Sequence, residues 1–279
     1  MANDIGAGAT GVNDWIKRIV QPARQQLRIR RRLRSYADLY LRRKGWQRSV
    51  ALRESVGPDG PVPWITFPAL MMLERIVEPH YKVFEYGCGN SSLWWSRRVS
   101  SVVSVEHDEA WAARIARIAP PNLTIVVRRL GENASPELAA HADAFFSRNP
   151  DLPVSGDLHH DLEHGLICRE FVAYATEIAR HGKGHFDVVV VDGMARVLTA
   201  WMAANFVKDD GIILFDNSDR WQYNSGFAAL AERGFRRVDF YGTGPVNPFE
   251  SCTSIFARNL DWAARNTVIP PGQISQLGW

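Results

Sequence analysis

Short apolar runs alternate with stretches of helical periodicity through the middle of the chain. The runs lack the polar alternation of a strand with one solvated face, which indicates strands covered on both faces, as in a parallel sheet. Helical stretches such as PALMMLERIV, DEAWAARIARIA and ARVLTAWMAANFV lie between them. The runs occupy residues 82–86, 102–106, 123–128, 186–192 and 211–215. This rhythm predicts an α/β fold with a doubly wound, mostly parallel sheet.

The end of this region departs from the alternation. FRRVDFYG and CTSIFARN have the composition of strands, and only the loop TGPVNPFES separates them. Strands joined without a crossover helix should be antiparallel. The chain has 279 residues, of which 46% are hydrophobic, and this suits one sizeable domain with an appendage. We place a Rossmann-like domain at 64–260, with an insertion at 131–165 and a C-terminal tail at 261–279.

The N-terminal part is strongly basic, although the formal net charge of the whole chain is only +3. We expect residues 1–56 to form a partly disordered helical extension, and the chain breakers of GPDGPVP to make residues 57–63 a linker. Residues 14–48 interleave arginines with apolar side chains, which suits an anionic membrane surface or RNA as partner. The alternative is a helix that packs on the domain or on a second subunit. The sequence predicts no particular oligomeric state.

The cysteines and the N-terminus bear on the compartment. Cys88, Cys168 and Cys252 are far apart and form no Cys-x-x-Cys pair, which argues against a disulfide framework and a cysteine zinc site. The first residues lack the apolar segment of a secretory signal. We therefore expect a cytoplasmic protein, with peripheral membrane attachment if the basic segment binds lipid.

A glycine turn follows the first predicted strand. Gly87 and Gly89 stand between that strand and a helix that should start near Ser91. The glycines allow a sharp turn and close approach to a ligand, and N–H groups at the helix start can meet a polar or anionic group. Glu85 precedes the turn, and Glu106 ends the second strand, where an acid can reach ribose hydroxyls. These features predict a ligand site at the carboxyl ends of the strands.

This pattern resembles that of class I S-adenosylmethionine-dependent methyltransferases, which have an acid two residues before a Gly-x-Gly turn and an acid ending the second strand. Their seventh strand is antiparallel and lies beside the fifth, which implies a seven-stranded sheet of order 3-2-1-4-5-7-6. The resemblance covers roughly residues 68–258. A nicotinamide dehydrogenase is disfavoured, because Ser92 replaces the third glycine of its motif.

The resemblance implies S-adenosylmethionine as cofactor. It places Glu85 near the methionine amino group, Glu106 on the ribose hydroxyls and His107 near the adenine. Glu132 falls where the adenine amino group is read. The full set of implied cofactor contacts is Glu85, Tyr86, Gly87, Cys88, Gly89, Asn90, Ser91, Glu106, His107, Glu132 and Asp192.

A weaker resemblance links the chain to catechol-type metal-dependent O-methyltransferases. They place one Asp after the fourth strand and an Asp-Asn pair after the fifth, which Asp192, Asp216 and Asn217 match. The resemblance implies that these catalytic residues hold Mg²⁺, which would lower the pKa of a bound hydroxyl. Ala195 stands where that family has a lysine, so its general base is not evident. The alternative is that Asp216 and Asn217 only cap a turn.

The segment after the fourth predicted strand also bears on the acceptor. Nitrogen methyltransferases of nucleobases carry Asp or Asn, Pro, Pro and an aromatic residue there, whereas this chain has DGMA at 192–195. We therefore expect O-methylation of a small molecule, sugar or lipid. The alternatives are an RNA methyltransferase that docks through the basic segment, and a non-catalytic Rossmann-like module that binds nucleotide or scaffolds an assembly.

Overall fold

The computed structural model describes residues 9–149 and 168–264. Its main sheet has seven strands in the order β3-β2-β1-β4-β5-β7-β6. All neighbours are parallel except β7, which runs antiparallel to both β5 and β6. The strands are β1 (Lys82–Tyr86), β2 (Ser101–Glu106), β3 (Leu123–Val127), β4 (Phe186–Val191), β5 (Val207–Asp216), β6 (Arg236–Gly242) and β7 (Ser251–Ala257). The predicted α/β architecture and strand order are confirmed.

Helices cover both faces of this sheet. Before it lie α1 (Ala9–Tyr36), a π-helical turn (Ala37–Leu41), α2 (Trp46–Leu52) and α3 (Phe67–Ile76). Between and after the strands lie α4 (Asn90–Ser96), α5 (Glu109–Ala116), α6 (Pro136–Arg148), α7 (Val172–Thr176), α8 (Arg196–Phe206), α9 (Asn224–Glu232) and α10 (Asp261–Ala264). Short 3₁₀ turns occupy Arg169–Phe171, Glu177–His181 and Trp221–Tyr223.

Two apolar cores explain why the strands lack polar alternation. Successive strand residues point to opposite faces of a sheet. In β4, Val189 and Val191 pack in one core, while Val188 and Val190 pack in the other. Every position of β4 except the half-buried Asp187 is therefore buried, and a run of β-branched residues is the sequence that fits such a strand.

The segment before the first strand packs on the domain from Tyr40 onward. Tyr40, Leu41 and Trp46 lie against the same core as Phe67, and the indole N–H of Trp46 donates to the carbonyl oxygen of Asn247 at 3.0 Å. The segment that we expected to be a linker contains a two-stranded hairpin, Val56–Gly57 with Gly60–Pro61. In contrast, every described side chain from 21 to 35 in α1 is exposed.

Parts of the predicted insertion and tail lie outside the described residues. The insertion at 131–165 contains α6 (Pro136–Arg148), which buries Leu138, Ala142 and Phe145, and residues 150–167 are not described. The same holds for residues 1–8 and for the tail beyond 264. Within the described ranges, no helix combines the length and the apolar character needed to cross a bilayer.

Candidate functional site: a cleft at the carboxyl ends of β1, β2 and β4

A cleft opens where strand order reverses between β1 and β4. In open α/β sheets this switch point is where ligands bind, beyond the carboxyl ends of the strands. The cavity has a volume of about 240 Å³. Its lining residues are Glu85, Tyr86, Gly87, Cys88, Ser91, Glu106, His107, Tyr174, Asp192, Gly193, Met194 and Arg196. The glycine turn after β1 and the acid that ends β2 therefore face one space.

Two glycines shape the floor of the cleft. Gly87 has φ +95°, a conformation that side chains rarely adopt, and its N–H donates to the carbonyl oxygen of Val105 at 2.8 Å. Gly193 has no room for a side chain. A Cβ there would lie 2.1 Å from the hydroxyl oxygen of Tyr174 and 2.9 Å from the backbone nitrogen of Gly87. The backbones after β1 and β4 can approach this closely only because position 193 is glycine.

Glu85 is buried with one carboxylate oxygen unpaired. Its Oε2 accepts hydrogen bonds from the hydroxyls of Ser92 and of Ser104, the latter at 2.8 Å. Its Oε1 has no hydrogen-bond partner among the described residues, and the side chain is only 1% exposed. Burial raises the pKa of Glu85 to about 7, and neighbouring serine hydroxyls offset only part of that effect. A buried oxygen without a partner is costly, so this carboxylate is suited to a ligand that donates a hydrogen bond.

Glu106 ties the glycine turn to the end of β2. Its Oε2 accepts from the backbone N–H of Cys88 at 3.0 Å. Its Oε1 accepts from the backbone N–H groups of His107 and Asp108 at 2.7 and 2.9 Å, and lies 2.7 Å from Nδ1 of His107. Burial raises the pKa of Glu106, but the hydrogen bonds from these groups outweigh it and leave the pKa below its ordinary value. Glu106 is therefore a charged acceptor in the wall of the cleft.

Cys88 lies between these two acids in the lining of the cleft. Burial, and then the negative charges of Glu106 and Glu85, raise the pKa of its thiol well above the ordinary value. Its carbonyl oxygen accepts a hydrogen bond from the indole N–H of Trp111 at 2.6 Å, which fixes the turn from outside. The backbone at Cys88 is thus held by Glu106 on one side and by Trp111 on the other.

The guanidinium of Arg196 lies among the three residues that we predicted to hold Mg²⁺. Its Nη2 donates to Asp192 Oδ1 at 3.0 Å, and its Nη1 donates to Asn217 Oδ1 at 3.1 Å. Its Nη1 also donates to the carbonyl oxygen of Asp216 at 2.6 Å, and its Nε donates to that of Gly193 at 3.0 Å. The Asp216 carboxylate accepts instead from the hydroxyl of Thr253 at 2.6 Å.

This arrangement does not fit a divalent cation, contrary to the magnesium prediction. A guanidinium already supplies the positive charge that these oxygens would give to a metal, and it blocks their convergence. Among the described residues, no group of three or more His, Cys, Asp or Glu side chains could hold a metal ion. One sequence feature pointed to this departure from the metal-dependent family, which has a lysine where this chain has Ala195. The neighbouring Arg196 occupies the space between the predicted metal ligands.

Asp192 is the carboxylate of this group that faces the cleft. Burial and the nearby charge of Asp216 raise the pKa of Asp192 well above its ordinary value, and Arg196 offsets part of that effect. The pKa of Asp216 is also raised, chiefly by burial. Asp216 and Asn217 do not line the cavity. Asn217 adopts φ +54°, a conformation that Asn tolerates better than most residues.

The predicted cofactor contacts divide into two groups. Those in the lining of the cleft are Glu85, Tyr86, Gly87, Cys88, Ser91, Glu106, His107 and Asp192. Those outside it are Gly89, Asn90 and Glu132. The Asn90 amide donates to the carbonyl oxygen of Ser55, and Glu132 accepts from the backbone N–H of Arg129. The sequence reasoning missed Tyr174, Gly193, Met194 and Arg196 as lining residues.

No protein-family model matches the sequence, and no curated protein matches it significantly. A methyltransferase-like protein from Silicibacter pomeroyi is similar in structure, with 22% identity, a TM-score of 0.37 and coverage of 76% of this chain and 93% of that chain. A TehB-like SAM-dependent methyltransferase from Corynebacterium glutamicum has 11% identity, a TM-score of 0.40 and coverage of 68% and 86%.

A fibrillarin from Aeropyrum pernix with bound S-adenosyl-L-methionine is also similar, with 12% identity, a TM-score of 0.38 and coverage of 65% and 67%. These scores are low, so we assign the fold from the sheet itself. An antiparallel β7 lies between β5 and β6, and the remaining strands follow the order 3-2-1-4-5. The chain has the class I methyltransferase fold. Within this fold, the cleft described above lies at the switch point between β1 and β4.

Proposed function

We propose that the protein is an S-adenosylmethionine-dependent methyltransferase that acts on an oxygen atom of a small molecule, sugar or lipid. The observation that carries the proposal is the unpaired Oε1 of Glu85, buried in the wall of the switch-point cleft. An ammonium group is a ligand that would satisfy this oxygen and favour the charged carboxylate. S-adenosylmethionine carries such a group on its methionine part.

The remaining residues of the cleft suit the rest of this cofactor. Glu106 would accept hydrogen bonds from ribose hydroxyls, and His107 would lie against the adenine. The Gly87 turn has no side chain to obstruct the methionine part. When bound, S-adenosylmethionine supplies a methyl group on a positive sulfur, which is already a good leaving group. The protein then needs only to align an acceptor and to remove its proton.

Asp192 is the residue that we propose as the proton acceptor. It lines the cleft, and burial beside Asp216 raises its pKa, which makes its carboxylate a stronger base. Arg196 holds one of its oxygens and so fixes its orientation. Asp216 and Asn217 would act through Arg196 as positioning residues, because their oxygens accept from its Nη1. This division of roles favours a hydroxyl acceptor activated without a metal.

The cofactor assignment is tested by titration calorimetry, which compares the affinity of the parent and of the Glu85→Gln variant for S-adenosylhomocysteine. Loss of a charged hydrogen bond costs about 1.5–3 kcal/mol, so we expect affinity to fall roughly 10- to 100-fold. Glu74→Gln is the matched control, because Glu74 is exposed on α3, and its affinity should equal that of the parent. If the parent chain does not bind the ligand at all, the non-catalytic scaffold becomes the better assignment.

Chelation tests the metal-free activation of the acceptor. Because Arg196 already occupies the centre of the Asp192, Asp216 and Asn217 group, EDTA should leave the rate of methyl transfer unchanged within about twofold. The measurement is transfer of a labelled methyl group to a panel of hydroxyl compounds, with and without added Mg²⁺. Strong inhibition by EDTA that Mg²⁺ reverses would contradict this part of the proposal.

A further inference from the structure

The second half of α1 presents a dense positive charge to solvent. Every described side chain from 21 to 35 is exposed. Between Trp15 and Ala37 the sequence contains no Asp or Glu, and no ion pair joins these arginines to another described residue. The exposed arginines are Arg24, Arg28, Arg30, Arg31, Arg32 and Arg34.

The spacing of these arginines opposes helix formation in water. Arg24 and Arg28 are four residues apart, and so are Arg28 and Arg32, and Arg30 and Arg34. Like charges at this spacing are neighbours on the helix surface and destabilise it. An anionic surface would neutralise the repulsion and stabilise the helix, so the charge pattern indicates an anionic partner.

The exposed apolar side chains of the same segment distinguish between anionic partners. Leu27, Ile29 and Leu33 are 60%, 50% and 63% exposed. Ile29 and Leu33 are one turn apart and lie side by side on the helix. Single-stranded RNA is held by aromatic side chains that stack on bases, whereas these three are aliphatic. Aliphatic side chains beside arginines suit the boundary between lipid headgroups and acyl chains.

We propose that α1 binds the surface of an anionic lipid bilayer. The helix lies in the plane of the headgroups, with Ile29 and Leu33 inserted towards the acyl chains and the flanking arginines paired with lipid phosphates. Because no described helix is long and apolar enough to span a bilayer, this attachment is peripheral. The proposal goes beyond the proposed catalytic function and does not depend on it.

Vesicle co-sedimentation of the full chain tests the charge contribution. The chain should bind vesicles of phosphatidylcholine with phosphatidylglycerol, and should bind pure phosphatidylcholine far more weakly. The triple variant Arg28→Gln, Arg31→Gln and Arg32→Gln should bind the anionic vesicles roughly 100-fold more weakly. The matched control is Arg97→Gln, Arg117→Gln and Arg236→Gln, which removes the same charge from exposed positions of the domain and should bind like the parent.

The aliphatic contribution separates a bilayer from RNA. Ile29→Gln with Leu33→Gln keeps every arginine and should weaken vesicle binding about tenfold or more, because two apolar side chains no longer insert. Thermal midpoints equal to that of the parent would show that each variant is folded. Equal binding to neutral and anionic vesicles would overturn the proposal. So would an unchanged vesicle affinity of the aliphatic variant together with tight, salt-dependent binding of single-stranded RNA.

Discussion

Glu85 combines burial, an unpaired oxygen and a raised pKa in one side chain. A carboxylate with these properties weakens the fold when it is charged. On folding, its second oxygen loses its hydrogen bonds to water and gains none from the protein. Native structures retain such groups at sites where a ligand completes the hydrogen bonding. At the scale of single residues, therefore, the cleft is built at a cost in stability that ligand binding can recover.

The pH dependence of stability follows from the pKa of Glu85. Its pKa in the folded state is about 7, against an ordinary value of 4.5. Between these two pH values the folded state binds more protons than the unfolded state, so the free energy of unfolding falls as pH rises. At roughly 1.4 kcal/mol for each pKa unit, the loss is on the order of 3 kcal/mol. Urea titrations from pH 5 to pH 8 measure it.

Glu85→Gln removes this titration and serves as the comparison. Its free energy of unfolding should decline less with pH than that of the parent, and should exceed the parent value at pH 8. Glu74→Gln, at an exposed position, should follow the parent curve throughout. Parallel curves for the parent and Glu85→Gln would mean that Glu85 is not responsible.

At the scale of elements, the ends of β4 and β5 are joined through Arg196. Arg196 is the first residue of α8. Its side chain donates to backbone or side-chain oxygens of Asp192, Gly193, Asp216 and Asn217. A buried arginine with such a set of acceptors fixes two loops relative to each other. The position of Asp192 in the cleft therefore depends on Arg196, at the start of α8, as much as on β4, which Asp192 follows.

Arg196→Met tests this connection. Removing one partner of a buried pair leaves the Asp192 carboxylate uncompensated, and we expect about 3–5 kcal/mol of destabilisation in urea unfolding. Arg129→Met is the matched control, because Arg129 pairs with Glu109 at 2.7 Å on the surface, with both side chains more than half exposed. The control should lose far less stability, because an exposed ion pair contributes little. Equal losses in the two variants would contradict the connecting role of Arg196.

The sequence predicts what is local and misses what depends on distant pairing. The strands are predictable because residues covered on both faces form uninterrupted apolar runs. Glu85 and Glu106 are predictable because they lie close to the glycine turn in the sequence or at the end of the next strand.

The start of β5 and two residues of the cleft depend on distant contacts. β5 begins at Val207 and not at residue 211, because Val207 pairs with Phe186 across an irregular register. Tyr174 reaches the cleft from α7, ahead of β4, and no local pattern marks it. Arg196 lies where we predicted a metal ion, and it is placed there partly by its hydrogen bond to the carbonyl oxygen of Asp216 at the end of β5. No local sequence pattern indicates that contact.

At the scale of the whole molecule, the described chain has a packed body and a helix that extends from it. The packed body includes the segment from Tyr40 onward, because Tyr40, Leu41 and Trp46 contact the core. The described side chains of α1 from 21 to 35 contribute no burial. The fold and the extending helix should therefore respond independently to changes in sequence.

Truncation tests this independence. Deletion of residues 1–36 removes α1, whose described side chains from 21 to 35 are all exposed, so the free energy of unfolding should change by less than about 0.5 kcal/mol. Deletion of residues 1–48 also removes Tyr40, Leu41 and Trp46, with the Trp46 hydrogen bond to Asn247, and should cost about 3 kcal/mol. Urea unfolding of both truncated chains gives the comparison. Equal stabilities would place the edge of the folded body later in the chain.

The raised pKa of the Cys88 thiol has a practical consequence for handling the protein. The thiolate is the form that reacts with alkylating agents and oxidants, and burial, together with the acids on either side, suppresses it. A cysteine in a ligand cleft is commonly oxidised during purification or modified in screens of electrophilic compounds. Here it should stay inert at neutral pH, so covalent inhibitors of this cleft would need another anchor.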